Sequence, residues 1–142
     1  MRMIQTVLDA PDVRALAEFY RDLLGWAYRP GDEPPAPGEP DPQGGDWLVL
    51  RAPGGAGQIA FQKVEGLTPS TWPDQTVPQQ LHIDFAVSTA EELRAEHDHA
   101  LRLGARVLLD RTDDPDEPLW VFADPAGHPF CIFVAPSHGQ QA

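Results

Sequence analysis

Residues 80–103 read "QLHIDFAVSTAEELRAEHDHALRL". The first part alternates. Leu81, Ile83 and Phe85 fall on one side of an extended chain, and Gln80, His82, Asp84 and Ala86 fall on the other. At Ser88 the period changes. Ser88 or Thr89 reads as an N-cap, Glu91 or Glu92 sits in the first turn, and Leu93, His97, Ala100 and Leu101 recur at helical spacing until Gly104. The chain begins the same way. "IQTVLDA" (4–10) alternates, and from Pro11 and Asp12 onward Val13, Leu16, Ala17, Tyr20, Leu23 and Leu24 repeat with helical period up to Gly25. Asp9 or Asp12 suits the N-cap, and Gly25 suits a left-handed C-cap.

Three further extended stretches follow each helix: 26–29, 46–52 and 58–64 after the first, and 105–110, 119–124 and 128–134 after the second. Between them lie segments too rich in Pro, Gly and acid for regular structure, notably 30–45, 65–79 and "RTDDPDEP" (111–118). The order is therefore βαβββ written twice. The copies match at "LLGWAYR" and "RLGARVL", and again at "GQIAF" and "GHPFCIF". This predicts an α+β fold, one domain over 1–142 with a first module over 1–64 and a second over 80–135. Each helix covers one face of a small sheet, so the other face needs a different cover. The expected solution is a curved mixed β-sheet cleft with the helices outside. The tail "APSHGQQA" (135–142) is expected to fray.

Composition limits the function. A formal net charge of −12 repels phosphate-rich partners, so nucleic acid is not an expected ligand. No run of about 18 apolar residues is present, so no membrane span is expected. The opening "MRMIQTVLDAPDV" lacks a signal-peptide apolar block, and the expected compartment is the cytoplasm. A single cysteine, Cys131, excludes an intramolecular disulfide.

Several residues fall on the second faces of the strands. His82 and Asp84 stand one pleat apart; they can orient a ligand, or simply satisfy each other and water. Trp47 and Arg51 share a face with Val49, opposite the core pair Leu48 and Leu50, and can stack on and charge-pair with an anionic aromatic ligand. Their bland alternatives are a filled cleft mouth and a surface ion pair. Gln62 shares its face with Ala60 and offers an amide. Trp120 and Phe122 alternate on the seventh strand and line either the same pocket or an interface. His97 reads as a packed, hydrogen-bonded core residue, His99 as solvated, and His128 as a strand cap. Cys131, among Phe130, Ile132 and Phe133, reads as an inert small hydrophobe. "GGAG" (54–57) has no helix after it, so it is no phosphate loop.

The repeat, "AEFYRDLLGW" (17–26), "LHID" (81–84) and "FADPAGHPFCIFV" (122–134) resemble the vicinal oxygen chelate superfamily, which includes the glyoxalase, bleomycin-resistance and extradiol-dioxygenase proteins. The resemblance spans nearly the whole chain. It implies a metal held by one residue from the first and last strand of each half. Residue by residue, the first ligand falls on Gln5 and the fifth-strand histidine on His82. The two acids fall on Ala60, which cannot ligate, and on Cys131, which ligates only as a thiolate. The implied cofactor is therefore either none or a divalent transition metal held by His82 and Gln5. A rearranged set of His82, Asp84 and Gln5, helped by Cys131 or Gln62, has donors suited to zinc, iron or nickel.

The resemblance leaves three functional classes open. One is a small-molecule enzyme of the lyase, isomerase or oxygenase kind, with His82 and Asp84 as its catalytic pair and a degenerate metal site; a true glyoxalase I is not expected. The second is a protein that sequesters a drug or metabolite. The third is a module for assembly. A homodimer is expected, because relatives commonly pair and because Trp26, Trp72 and Trp120 are much aromatic surface for a small monomer.

Overall fold

The computed structural model describes residues 1–135. The tail from residue 136 onward lies outside them, but Ala135 donates its N–H to Val87 and so belongs to the fold. The chain divides into two compact units, 1–68 and 69 onward. Each is one βαβββ module with its own four-stranded mixed sheet.

In the first module, β1 (Thr6–Ala10) leads into α1 (Val13–Leu24), then β2 (Ala27–Tyr28), β3 (Trp47–Arg51) and β4 (Gln58–Lys63). The sheet order is β1-β4-β3-β2, with β1 parallel to β4 and the other pairs antiparallel. The Asp12 carboxylate caps α1 by accepting from the Ala15 N–H at 3.0 Å, and Gly25 closes it in the left-handed region at φ 66°. α1 buries Val13, Leu16, Ala17, Phe19, Tyr20 and Leu23. Tyr20 stacks on Phe61 of β4 at 5.9 Å between centroids. The helix thus covers the sheet face that carries Leu8, Leu48, Leu50 and Phe61, as the alternation of Leu48 and Leu50 requires.

β2 has only two residues, so β3 has little partner along that edge. The Val49 carbonyl accepts from the Arg29 N–H, and the Val49 N–H donates to the buried Asp32 carboxylate at 2.9 Å. Segment 30–46, irregular as its composition predicts, is therefore held to the sheet. Arg14 of α1 holds it a second time. Its guanidinium donates twice to Asp41, at 2.8 and 3.0 Å, and also to the Asp32 and Glu33 carbonyls. It lies over the Tyr28 ring, whose hydroxyl donates to Glu18 at 2.6 Å.

The second module repeats the plan with β5 (Ile83–Val87), α2 (Ala90–Arg102), β6 (Arg106–Arg111), β7 (Leu119–Ala123) and β8 (Pro129–Val134), in sheet order β5-β8-β7-β6. β5 is parallel to β8. Thr89, not Ser88, caps α2 in a capping box with Glu92. α2 is more weakly buried than α1: Leu93 and Ala100 are buried, His97 is half-buried, and Leu101 is exposed. The extended run expected from Gln80 begins only at Ile83, and Leu81 is exposed rather than core. β5 is an edge strand, and nothing pairs residues 80–82 into its ladder.

Candidate functional site

Strand register fixes which side chains share a face. In the second sheet, Asp84 stands opposite Cys131, and Cys131 opposite Val121, on the face away from α2. His82 lies one residue ahead of β5, and its Nε2 is 3.3 Å from an Asp84 carboxylate oxygen. Both side chains are about half exposed, at 48% and 56%, so the pair is open to a ligand. Cys131 is buried. Burial pushes its thiol up to about 11, helped by the negative charges of Asp84 and Glu117. The group is therefore a neutral thiol near two carboxylates. Glu117 comes from the acidic loop before β7; its approach to Cys131 is a tertiary effect that no local pattern signals.

In the first sheet, the helix-free face is ordered in rows across the strands. Arg51 pairs with Gln58, and continuing the parallel register of Thr6 with Ile59 by one residue places Gln5 beside Gln58. The next row is Val7, Ala60 and Val49, and the third is Asp9, Gln62 and Trp47. Ala60 and Val49 are buried, Trp47 and Gln58 half-buried, and Arg51 and Gln62 exposed. Trp47, Arg51 and Gln62 thus share one sheet face, as the alternation predicts, while Gln5 stands one residue ahead of β1, outside the ladder.

Trp120 and Phe122 are placed differently. Trp120 stands opposite Ile132, which in turn stands opposite Phe85. Both aromatic rings lie against His97 of α2, at 4.2 and 6.0 Å, and Phe122 stacks on Phe130 at 5.2 Å. They belong to the helix-covered face, opposite Asp84, and line no wall with it. The repeat carried the signal: Val121 faces Cys131 as Val49 faces Ala60, so Trp120 is the counterpart of the core residue Leu48. His97 fills the space beside Trp120 and contacts Asp98 at 2.9 Å.

The two modules also repeat at the site. Val7 faces Ala60 across parallel strands in the first, and Asp84 faces Cys131 in the second. Gln5 and His82 each stand two residues earlier. Residues 5–133 match the family model of the glyoxalase-like domain. The chain belongs to the glyoxalase-like domain family. Solved structures agree on the fold. A glyoxalase/bleomycin resistance protein/dioxygenase family enzyme from Burkholderia phytofirmans PsJN is 17% identical, with a TM-score of 0.67 over 92% of this chain and 95% of that one. A fosfomycin resistance protein from Listeria monocytogenes is 14% identical, with a TM-score of 0.67 over 96% and 95%. A lactoylglutathione lyase from Agrobacterium tumefaciens is 18% identical, with a TM-score of 0.60 over 98% and 97%. At these identities the likeness is one of fold. No protein of curated function matches the glyoxalase-like chain in sequence.

The superfamily implies a divalent metal, and the donor set of this glyoxalase-like domain does not fit one. Ala60 has no donor atom, and the Cys131 thiol, pushed up to about 11, is not a thiolate near neutral pH. The two positions that would neutralise a dication therefore supply no charge. Asp84 adds one carboxylate beside His82, but among the described residues no three His, Cys, Asp or Glu side chains are grouped so as to hold an ion.

Proposed function

We propose that this glyoxalase-like protein binds a small organic molecule without a resident metal, with His82 and Asp84 as the polar handle that orients it. The observation that carries this reading is the replacement of both charged metal-ligand positions, by Ala60 and by a protonated Cys131, while an accessible imidazole–carboxylate pair remains 3.3 Å apart on the same face as Cys131. Such a pair can donate to, accept from and take a proton from a ligand. That last capacity supports a second reading, a metal-independent enzyme of the lyase or isomerase kind using His82 as proton acceptor. The names of the structural neighbours include both resistance proteins and a lyase.

The protein is further proposed to act as a cytoplasmic homodimer. No helix among the described residues is long and apolar enough to cross a membrane. Met1, Met3, Ile4, Val7 and Leu81 are exposed apolar side chains that a second copy could cover. Light scattering should return twice the 15.6 kDa chain mass; a monomer at micromolar concentration would refute the pairing.

The deciding experiment is a thermal-shift ligand screen on tag-free protein, repeated on His82→Ala and Asp84→Asn. A hit should bind His82→Ala less well, by about 1–3 kcal/mol. Equal binding by all three proteins, with both variants melting far lower, would make the pair structural and end this reading. Turnover of a hit that is lost in His82→Ala would select the enzyme.

A further inference from the structure

We propose that segment 30–46 is an edge guard: it occupies the open margin of β3 and keeps that margin from adding a strand of a second copy of this chain. The device is separate from ligand binding at His82.

The case begins with a difference between the two repeats. In the second module β7 is paired on one side by β8 and on the other by the six residues of β6. In the first, β2 supplies only Ala27 and Tyr28, opposite Arg51 and Leu50. Among the described residues no strand pairs Trp47 to Val49 on that side. An antiparallel strand turns the backbone groups of alternate residues toward each neighbour. Lys63 of β4 donates to the Asp46 carbonyl, and Arg29, just after β2, donates to the Val49 carbonyl. Leu48 and Leu50 therefore bond toward β4, and Trp47 and Val49 toward the gap. Left bare, those groups would be a template for another strand.

The segment meets them. The Val49 N–H donates to the Asp32 carboxylate at 2.9 Å, and the Trp47 N–H donates to the Gln43 carbonyl at 3.1 Å. Asp32 is 2% exposed and is held in place by Arg29, 3.1 Å away. A side-chain carboxylate ends a ladder where a strand would continue it.

The sequence of β3 explains why cover is needed. "WLVLR" (47–51) has no charge before Arg51, and Leu48, Val49 and Leu50 are at most 1% exposed. β6, the edge of the other sheet, carries Arg106, Asp110 and Arg111 and a register shift between Val107 and Leu109. Charges and bulges of that kind blunt an edge. β3 has a regular register and depends on the segment instead. The strand also matches itself. Were the segment and β2 displaced together, two copies of β3 paired antiparallel about Val49 would set Trp47 of each against Arg51 of the other, a favourable cross-strand pair.

The test is native-state hydrogen exchange followed by NMR on the full chain, with light scattering on wild type, Asp32→Asn and Asp32→Ala. In wild type the Trp47 and Val49 amides should exchange together at urea concentrations where the Leu48 and Leu50 amides stay protected. Asp32→Ala should speed exchange at Val49 about tenfold or more and form concentration-dependent species larger than a dimer. Asp32→Asn keeps an oxygen acceptor and should stay close to wild type in both measurements. Trp47→Lys added to Asp32→Ala sets a like charge against Arg51 and should disperse the assemblies. Trp47 and Val49 amides protected as long as those of Leu48 and Leu50 would overturn the guard, because the segment would then open only with the whole sheet. That measurement needs wild type alone and decides the case if Asp32→Ala does not fold. An Asp32→Ala protein that exposes Val49 yet stays no larger than wild type, or assemblies that survive Trp47→Lys, would overturn it too.

Discussion

Arg14 makes four hydrogen bonds through its guanidinium. It is 16% exposed, meets both Asp41 oxygens and two loop carbonyls, and stacks on Tyr28. The guanidinium hydrogen bonds hold the Asp41 carboxyl below its usual range. For Glu18, burial raises the pKa, but the Arg21 and Tyr28 hydrogen bonds outweigh it and the net direction is down. Both acids therefore stabilise the fold above their unfolded pKa near about 4, and that contribution is lost as the pH falls further. Arg14→Met should cost about 1–2 kcal/mol, since the partners keep some access to water. Urea unfolding at pH 7 and pH 3 checks this: the deficit should be large at the higher pH and shrink at the lower, and a deficit independent of pH would contradict the charge argument. At Cys131 the sign reverses. Its raised pKa means the neutral thiol stabilises the fold below the unfolded value of about 8.5, and that contribution fades as the pH rises toward about 11. Alkylation by iodoacetamide at pH 8 should be slower in the native protein than in urea by at least about a hundredfold. Comparable rates would mean an accessible thiolate and reopen the metal question.

At the scale of elements, the ends of α2 and the turn before β8 are fixed by short, local rules, which is why they were readable. Thr89 and Glu92 form the capping box that their spacing announces: Glu92 N–H donates to Thr89, and Glu92 accepts from the Ser88 and Thr89 N–H groups. Thr89→Ala should cost about 1 kcal/mol in thermal or urea unfolding. In "DPAG", the Asp124 carboxylate accepts from the Ala126 and His128 N–H groups, and Gly127 sits at φ 92°. A Cβ at Gly127 would fall 2.5 Å from Pro69 Cβ. Gly127→Ala therefore meets both backbone strain and a clash, and should lower stability by more than about 1 kcal/mol; a neutral effect would mean the Pro69 segment gives way freely. What was not legible depends on contacts between elements. Alternation separates the two faces of β7 but cannot by itself say which one α2 covers; only the match of β7 to β3, where Leu48 is core, places Trp120 under the helix. Segment 30–46 was readable as irregular but not as pinned, because Arg14 looks like an ordinary exposed helix position until Asp41 arrives from 27 residues away.

For the molecule as a whole, duplication explains both what the chain keeps and what it has changed. Each module presents the same parallel pair on its helix-free face, with Val7 against Ala60 and Asp84 against Cys131. The fold needs these positions only to fit between neighbours, so a family acid can become alanine or cysteine without disturbing either core. Chemistry is less tolerant. A dication whose two carboxylate positions carry a methyl and a neutral thiol lacks compensation for its desolvation, and an isolated imidazole and amide do not supply it. Lactoylglutathione lyase activity is therefore expected to be absent: tag-free protein assayed on the glutathione–methylglyoxal hemithioacetal should give no turnover above background, and added nickel or zinc should not create it. Metal content by mass spectrometry should be substoichiometric in the same sample. Robust turnover with either ion, lost again on chelation and in His82→Ala, would mean that Asp84 or another acid replaces the missing ligands and that the donor-set argument is wrong.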